Sequence, residues 1–349
     1  MSITEGASSA SPRYQWIDVY KGIAIFLVVL GHLEIPQGLY DYIFLFHMYA
    51  FFFIAGVTFK VKENQTFGVF VLENMKRLYI PYLFFAFAWD ITNMVTQLFI
   101  EHTFDFSPLA LLKNVASVLI GGGPFSSNAS IGPAWFLLAL LVVRIVCWLI
   151  IRFTRNNLWA FGALSSVLFV LGYVFQGKGF LPFKIFSTLT VFLFVFIGYL
   201  LKSVFPALQK RSPLILLGGA AGCFGLVFVA TLFADKTVTL VANSFPTNPA
   251  ATLLGGFAGC FGLVFLALLL TRVPKLSDAL AFYGVNSLIV MGIHSEINFA
   301  LRFLFHLISL GQIYRVILIF LLTLILSVPI CIILSKYFPV LVGKRKSKA

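Results

Sequence analysis

The chain has 349 residues, of which 60% are hydrophobic, 17% aromatic and only 11% charged, with 41 phenylalanines and a mean hydropathy of +1.00. Soluble domains carry roughly 25% charged residues, so the composition excludes an ordinary soluble enzyme, a disordered chain and a secreted disulfide scaffold. The formal charge of +13 would suggest nucleic acid in a soluble protein; here the basic residues alternate between loops, as positive-inside topology requires, and no nucleic-acid partner is expected.

In chain order, residues 1–15 are polar and mixed, with no A-x-A-like cleavage site after the first apolar run, so that run is expected to remain as a helix. Ten spans of about 20 residues, each able to cross a ~30 Å hydrocarbon core, read at 17–35, 40–59, 79–100, 134–151, 158–175, 185–202, 213–234, 251–271, 280–299 and 313–336. The expected fold is an all-α polytopic membrane protein with a single transmembrane domain over residues 1–349. Loop 101–133, with Gly121-Gly122-Gly123-Pro124 and a Ser/Asn-rich run, is expected to be irregular. The basic end, residues 342–349, is expected to be a solvated tail beside lipid headgroups.

With the N-terminus inside, the inside segments hold 18 of the 25 Lys and Arg and the outside segments six, and Arg144 falls within a span. That three-to-one bias places both termini in the cytoplasm, and an odd number of spans would destroy the alternation. The four cysteines, Cys147, Cys223, Cys260 and Cys331, lie in apolar stretches without metal-ligand spacing, so neither disulfides nor a metal site is expected. Gly218–Phe233 and Gly255–Leu270 match at 12 of 16 positions, 37 residues apart. Their small-xxx-small spacing suits close helix approach, and a local packing seam is favoured over an inverted-repeat transporter.

Ionisable groups in a membrane are costly, ~2.5–3.5 kcal/mol each on insertion scales, and therefore point to function. In the first span Lys21 and His32 lie about 20° apart around the helix and ~16 Å apart along it, with Asp18 on the same face. Lys21 alone is most simply a snorkelling anchor; the shared face weakens that explanation. His47 in the second span and His294 in the ninth, followed by Glu296 and Asn298, could meet His32 near the outer side. Histidine is the side chain best suited to act as a base near neutral pH; interhelical hydrogen bonding is the competing role. Asp90 and Arg144 stand at matching depths, so an ion pair between them is expected. Lys76-Arg77 before Pro81, and Arg152 with Arg155 if their helix continues, suit polyphosphate oxygens as well as they suit topology. No P-loop, GxGxxG, GxSxG or HExxH motif occurs, which argues against an ATP-driven pump or a serine hydrolase.

Trp16-Ile17-Asp18-x-x-Lys21-Gly22, running to Gly31-His32, resembles the opening of the acyltransferase-3 superfamily, and more narrowly its fucose 4-O-acetylase-like branch. Further segments agree in order: Phe46-His47-Met48 with Phe51 to Gly56, Arg77-Leu78-x-x-Pro81-Tyr82, Trp135-Phe136-Leu137, and Asn286-Ser287-Leu288 followed by His294. Tyr49 replaces the proline common after His-Met, and Lys76 stands where a second arginine often sits. The resemblance implies a membrane O-acyltransferase in a bacterial cytoplasmic membrane. Such an enzyme takes an acetyl group from cytoplasmic acetyl-CoA, a substrate with no bound cofactor beside it, and delivers it to a sugar hydroxyl of a lipid-linked or surface glycan. His32 resembles the catalytic histidine and Lys21 the donor-side basic residue, with Asp18 orienting Lys21 and with His47 and His294 nearby. Lys76, Arg77, Arg144, Arg152 and Arg155 are the expected acyl-CoA contacts. The competing readings are a transporter of a glycolipid or small anion, and a non-catalytic membrane scaffold.

Overall fold

A computed structural model describes residues 14–103, 107–123, 131–178, 182–306 and 311–344. Residues 1–13, the Ser/Asn-rich run after Gly123 and residues 345–349 of the basic tail lie outside them. The described residues form helices and no named strand. In order these are α1 (Gln15–Gly31), α2 (Gln37–Phe44), α3 (His47–Val57), α4 (Phe67–Asn74), α5 (Ile80–Thr96), α6 (Pro108–Ile120), α7 (Trp135–Phe153) and α8 (Leu158–Val174). There follow α9 (Ile185–Leu189), α10 (Phe192–Leu201), α11 (Phe205–Leu208), α12 (Pro213–Leu232), α13 (Pro249–Leu270), α14 (Pro274–Val285), α15 (Ser287–His306) and α16 (Gln312–Tyr337).

Seven helices among the described residues are long and apolar enough to cross a membrane, and eight if the pair Pro182–Leu189 and Phe192–Leu201, bent by 66°, is one broken span. The other two expected spans are the 17-residue helices α1 and α8. Helix starts follow local chemistry. Ser107, Ser212 and Asn248 accept a hydrogen bond from a backbone N–H of the first turn, and each precedes a proline at the first helical position. Such a cap contributes about 1 kcal/mol, and proline there forfeits no helical hydrogen bond.

The helix boundaries read from sequence are corrected at three places. Loop 101–133 is not irregular throughout: α6 runs from Pro108 to Ile120 and stops where Gly121 turns left-handed at φ 102°. It docks on α5 through Tyr82, whose hydroxyl donates to the Val118 carbonyl, and on the turn before α5 through Tyr79, which donates to the Leu119 carbonyl at 3.0 Å. The span 280–299 is broken at Asn286, between α14 and α15. Helix α7 ends at Phe153, and Arg155 has φ 51°, so Arg152 and Arg155 do not share a continuing helix.

Lipid chains are as apolar as leucine, so close packing rather than water exclusion holds membrane helices together. Two glycine seams let backbones touch. A Cβ at Gly22 would overlap the Leu280 carbonyl and one at Gly284 the Asp18 carbonyl. Gln15 donates to Asp278 at 3.0 Å before this crossing and His32 meets His294 beyond it; both numbers rise together, so α1 runs parallel to α14 and α15. The pairs Gly56 with Val195 and Gly198 with Phe53 join α3 to α10 in the same way. Around these seams the core is aromatic. Tyr49 stacks on Phe194 at 4.0 Å and Phe194 on Phe257 at 4.3 Å, each pair contributing about 0.5–1.5 kcal/mol beyond its buried area.

Candidate active site

Helix α1 carries the two ends of the site. At one end Lys21 Nζ lies 3.5 Å from Asp18 Oδ1, an i, i+3 pair in which Asp18 is buried and Lys21 half-buried. At the other end His32 caps the helix and is exposed. Its Nδ1 lies 2.9 Å from the Val28 carbonyl. A carbonyl oxygen can only accept, so Nδ1 carries the hydrogen and Nε2 keeps a lone pair. That nitrogen has no hydrogen-bond partner among the described residues.

His294 of α15, fully buried, meets His32 edge-on with ring centroids 4.8 Å apart. Its Nδ1 donates to the Met291 carbonyl at 2.8 Å, and Ser295 Oγ lies 3.3 Å from its Nε2. The same donor logic makes that nitrogen an acceptor from the serine hydroxyl. His294 is therefore engaged at both nitrogens, whereas His32 has a base nitrogen to spare. His47 is also buried, with Nδ1 3.0 Å from the Ile43 carbonyl. The Phe44 ring lies 4.5 Å from His47 and packs against Gly31, so one aromatic ring separates His47 from the end of α1. Glu296, two residues past His294, has both carboxylate oxygens shut from solvent with no hydrogen-bond partner among the described residues.

The cations divide. Lys76 and Arg77 are exposed and occupy a π-helical turn, Met75–Tyr79, between α4 and α5; such turns often mark functional positions. The Arg77 carbonyl packs on Gly343, and Lys344 Nζ donates to Asn286 Oδ1 at 2.6 Å and Ser335 Oγ at 2.7 Å. Asn286 adjoins the α1–α14 seam, so this end of the chain closes over the Lys21 side of the site. That corrects the expectation of a solvated tail at Lys344, the rest of the run lying outside the described residues: a buried amide and a hydroxyl give its ammonium the partners that solvent would otherwise supply.

Arg144 does not pair with Asp90. Its Nε donates to Asn74 Oδ1 at 2.6 Å, and its guanidinium lies over Phe59 at 5.2 Å. Asp90 accepts instead from Asn114 of α6 at 2.6 Å. Matching depth was not enough, because the unforeseen α6 supplies the nearer donor. Arg152 and Arg155 are exposed and make no side-chain hydrogen bond or ion pair among the described residues. No cluster of three or more His, Cys, Asp or Glu able to hold a metal occurs among the described residues.

Sequence reasoning passed over Arg302, which bonds the His32 carbonyl oxygen, and Ser295. Arg302 did leave a trace, as one of the few cations on the side that the charge bias disfavours.

An all-helical, polytopic architecture with a polar strip along its first helix defines an integral membrane protein built around buried chemistry. Residues 14–336 match the family model described as an acyltransferase domain, and the chain belongs to the acyltransferase-3 family. It is a multi-pass membrane acyltransferase. A search of curated proteins finds no match to the chain.

Proposed function

We propose that the protein moves an acetyl group from cytoplasmic acetyl-CoA to a sugar hydroxyl of a lipid-linked or cell-surface glycan, with His32 as the base. The observation that carries this reading is the His32 imidazole: Nδ1 is fixed on the Val28 carbonyl, Nε2 is unengaged, and the ring is braced edge-on by His294. Nε2 takes the proton as the sugar oxygen attacks the thioester carbonyl. The C–O bond forms, the C–S bond breaks, and the proton passes to the departing thiolate. His294 positions the base.

Both termini lie in the cytoplasm in this reading, which puts Lys21, Lys76 and Arg77 on the inner side. They meet the CoA phosphates, to which guanidinium and ammonium groups are suited, and Asp18 orients Lys21. The pantetheine arm follows the polar face of α1 over the ~16 Å to His32. Arg144, held by Asn74, supports the π-helical turn rather than contacting the donor. The membrane is a bacterial cytoplasmic membrane, and the whole chain works as one domain.

The test is transfer of label from radiolabelled acetyl-CoA to a lipid-linked glycan extract in proteoliposomes. His32→Ala should lower transfer at least 100-fold, the usual scale for losing a general base, while acetyl-CoA binding is kept. Lys21→Ala should weaken acetyl-CoA binding. Loss of activity in Lys21→Ala but not in His32→Ala would overturn the assignment. Absence of both transfer and acetyl-CoA binding would favour the transporter.

A further inference from the structure

The turn that carries Lys76 and Arg77 is wide because of Pro81. In an α-helix the Arg77 carbonyl would accept from the backbone of residue 81, but proline has no N–H and its ring crowds the carbonyl four residues before it. The backbone opens instead into the π turn Met75–Tyr79, in which the Ile80 N–H reaches back to the Met75 carbonyl. Against that displaced Arg77 carbonyl rests the segment after α16. Pro339–Val342 form a short tight turn with Val342 buried. Gly343 follows at φ 70°, and a Cβ there would stand 2.5 Å from the Arg77 carbonyl oxygen and 3.4 Å from Pro81 Cγ. Both the left-handed backbone and the closeness call for glycine.

Lys344, half-buried, then turns inward, its Nζ donating to Asn286 and to Ser335. Asn286 is itself fixed, its amide donating to the Phe282 carbonyl at 2.8 Å, and it stands two residues beyond Gly284, which touches the Asp18 carbonyl. Residues 339–344 thus form a strap from the Lys76–Arg77 turn to the α14–α15 junction beside Asp18 and Lys21. We propose that Gly343 and Lys344 are positioning residues for the acyl donor: the strap holds the Lys76–Arg77 turn at a fixed distance from Lys21, so that both sets of cations reach the phosphates of one coenzyme. This rests on the acetyl-CoA reading above and deepens it. Lys76 and Arg77 are exposed, and a backbone already fixed beneath them lowers the ordering cost of binding. His32 lies at the other end of α1, so the strap acts on donor affinity and not on the transfer step.

The experiment measures radiolabelled acetyl-CoA binding to the full-length protein, and KM and kcat for transfer in proteoliposomes. Lys344→Met keeps the apolar stem and removes the donor. It should raise the acetyl-CoA dissociation constant and KM roughly tenfold, the scale of a lost charge-assisted hydrogen bond. At saturating donor kcat should hold, as it does when only binding is lost. Gly343→Ala should act in the same direction. The double variant Lys76→Gln/Arg77→Gln should weaken acetyl-CoA at least as much, and adding Lys344→Met to it should change little further, because effects that run through the same contact are not additive.

Unchanged acetyl-CoA binding in Lys344→Met would overturn the proposal. So would a fall in kcat with KM unchanged, the signature of a strap that only holds the fold, or a fully additive loss in the combined variant. Failure of the wild type to bind acetyl-CoA would instead count against the acetyl-CoA reading beneath it.

Discussion

Helices α12 and α13 carry nearly the same 16-residue sequence and use it in opposite ways. In α13, Gly255 receives Leu45, Gly256 receives Phe194 and Gly259 receives Phe46, so the glycine face is filled by Phe194 of α10 and by the two residues of the turn between α2 and α3. In α12, Gly218, Gly222 and Gly225 have nothing within 4 Å of where a Cβ would stand. The two helices meet each other reciprocally, with Phe265 over Gly219 and Phe224 over Gly262, and here the numbers run in opposite senses, so the pair is antiparallel. Leu214, Phe228 and Leu232 of α12 are exposed, as an outer helix bathed in lipid requires. The difference teaches that small-residue spacing permits close packing without compelling it. What decides is whether a large side chain from a third element is there to fill the notch.

That contrast can be broken or sharpened by substitution, measured as unfolding in detergent micelles. Gly259→Leu should be the most damaging, because even a Cβ there overlaps the Phe46 ring; overpacking of this kind costs about 3 kcal/mol or more. Gly262→Ala places a methyl 3.0 Å from the Phe224 ring, which can shift, and should cost about 1 kcal/mol. Gly222→Ala should be neutral or stabilise by up to about 1 kcal/mol, since it gains helix propensity and meets nothing. Equal damage at Gly222 and Gly259 would show that α12 has a close neighbour on its open face.

Periodicity and hydropathy made the helices legible, and helical spacing made the Asp18–Lys21 pair legible. The meeting of His32 and His294 was also foreseeable, because both stand towards the same side of their spans. The ion pair expected for Arg144 failed for a physical reason: depth along the membrane can be counted from sequence, but which helix stands next door cannot. Asn74 and Asn114, uncharged and unremarked, took the partners' places. Helix α6 was hidden behind its glycine-rich continuation, although Ser107-Pro108 carried a helix-start signal. Arg302 was counted only as a charge on a side, since charge bias orients segments and says nothing of contacts. Lys344 was read as tail because consecutive basic residues look solvated until a buried amide is found waiting for one.

The seam between α1 and α14 has a consequence for how the protein is made. Gly22 leaves the ribosome some 260 residues before Leu280, the residue it must touch. At roughly 5–20 residues per second, α1 spends on the order of 10–50 s in the membrane without its lifelong neighbour. An unescorted helix bearing a lone lysine or a lone aspartate would sit badly in lipid for that time. With Asp18 and Lys21 one turn apart, each charge brings its own counterion, and the first helix can wait for the fourteenth.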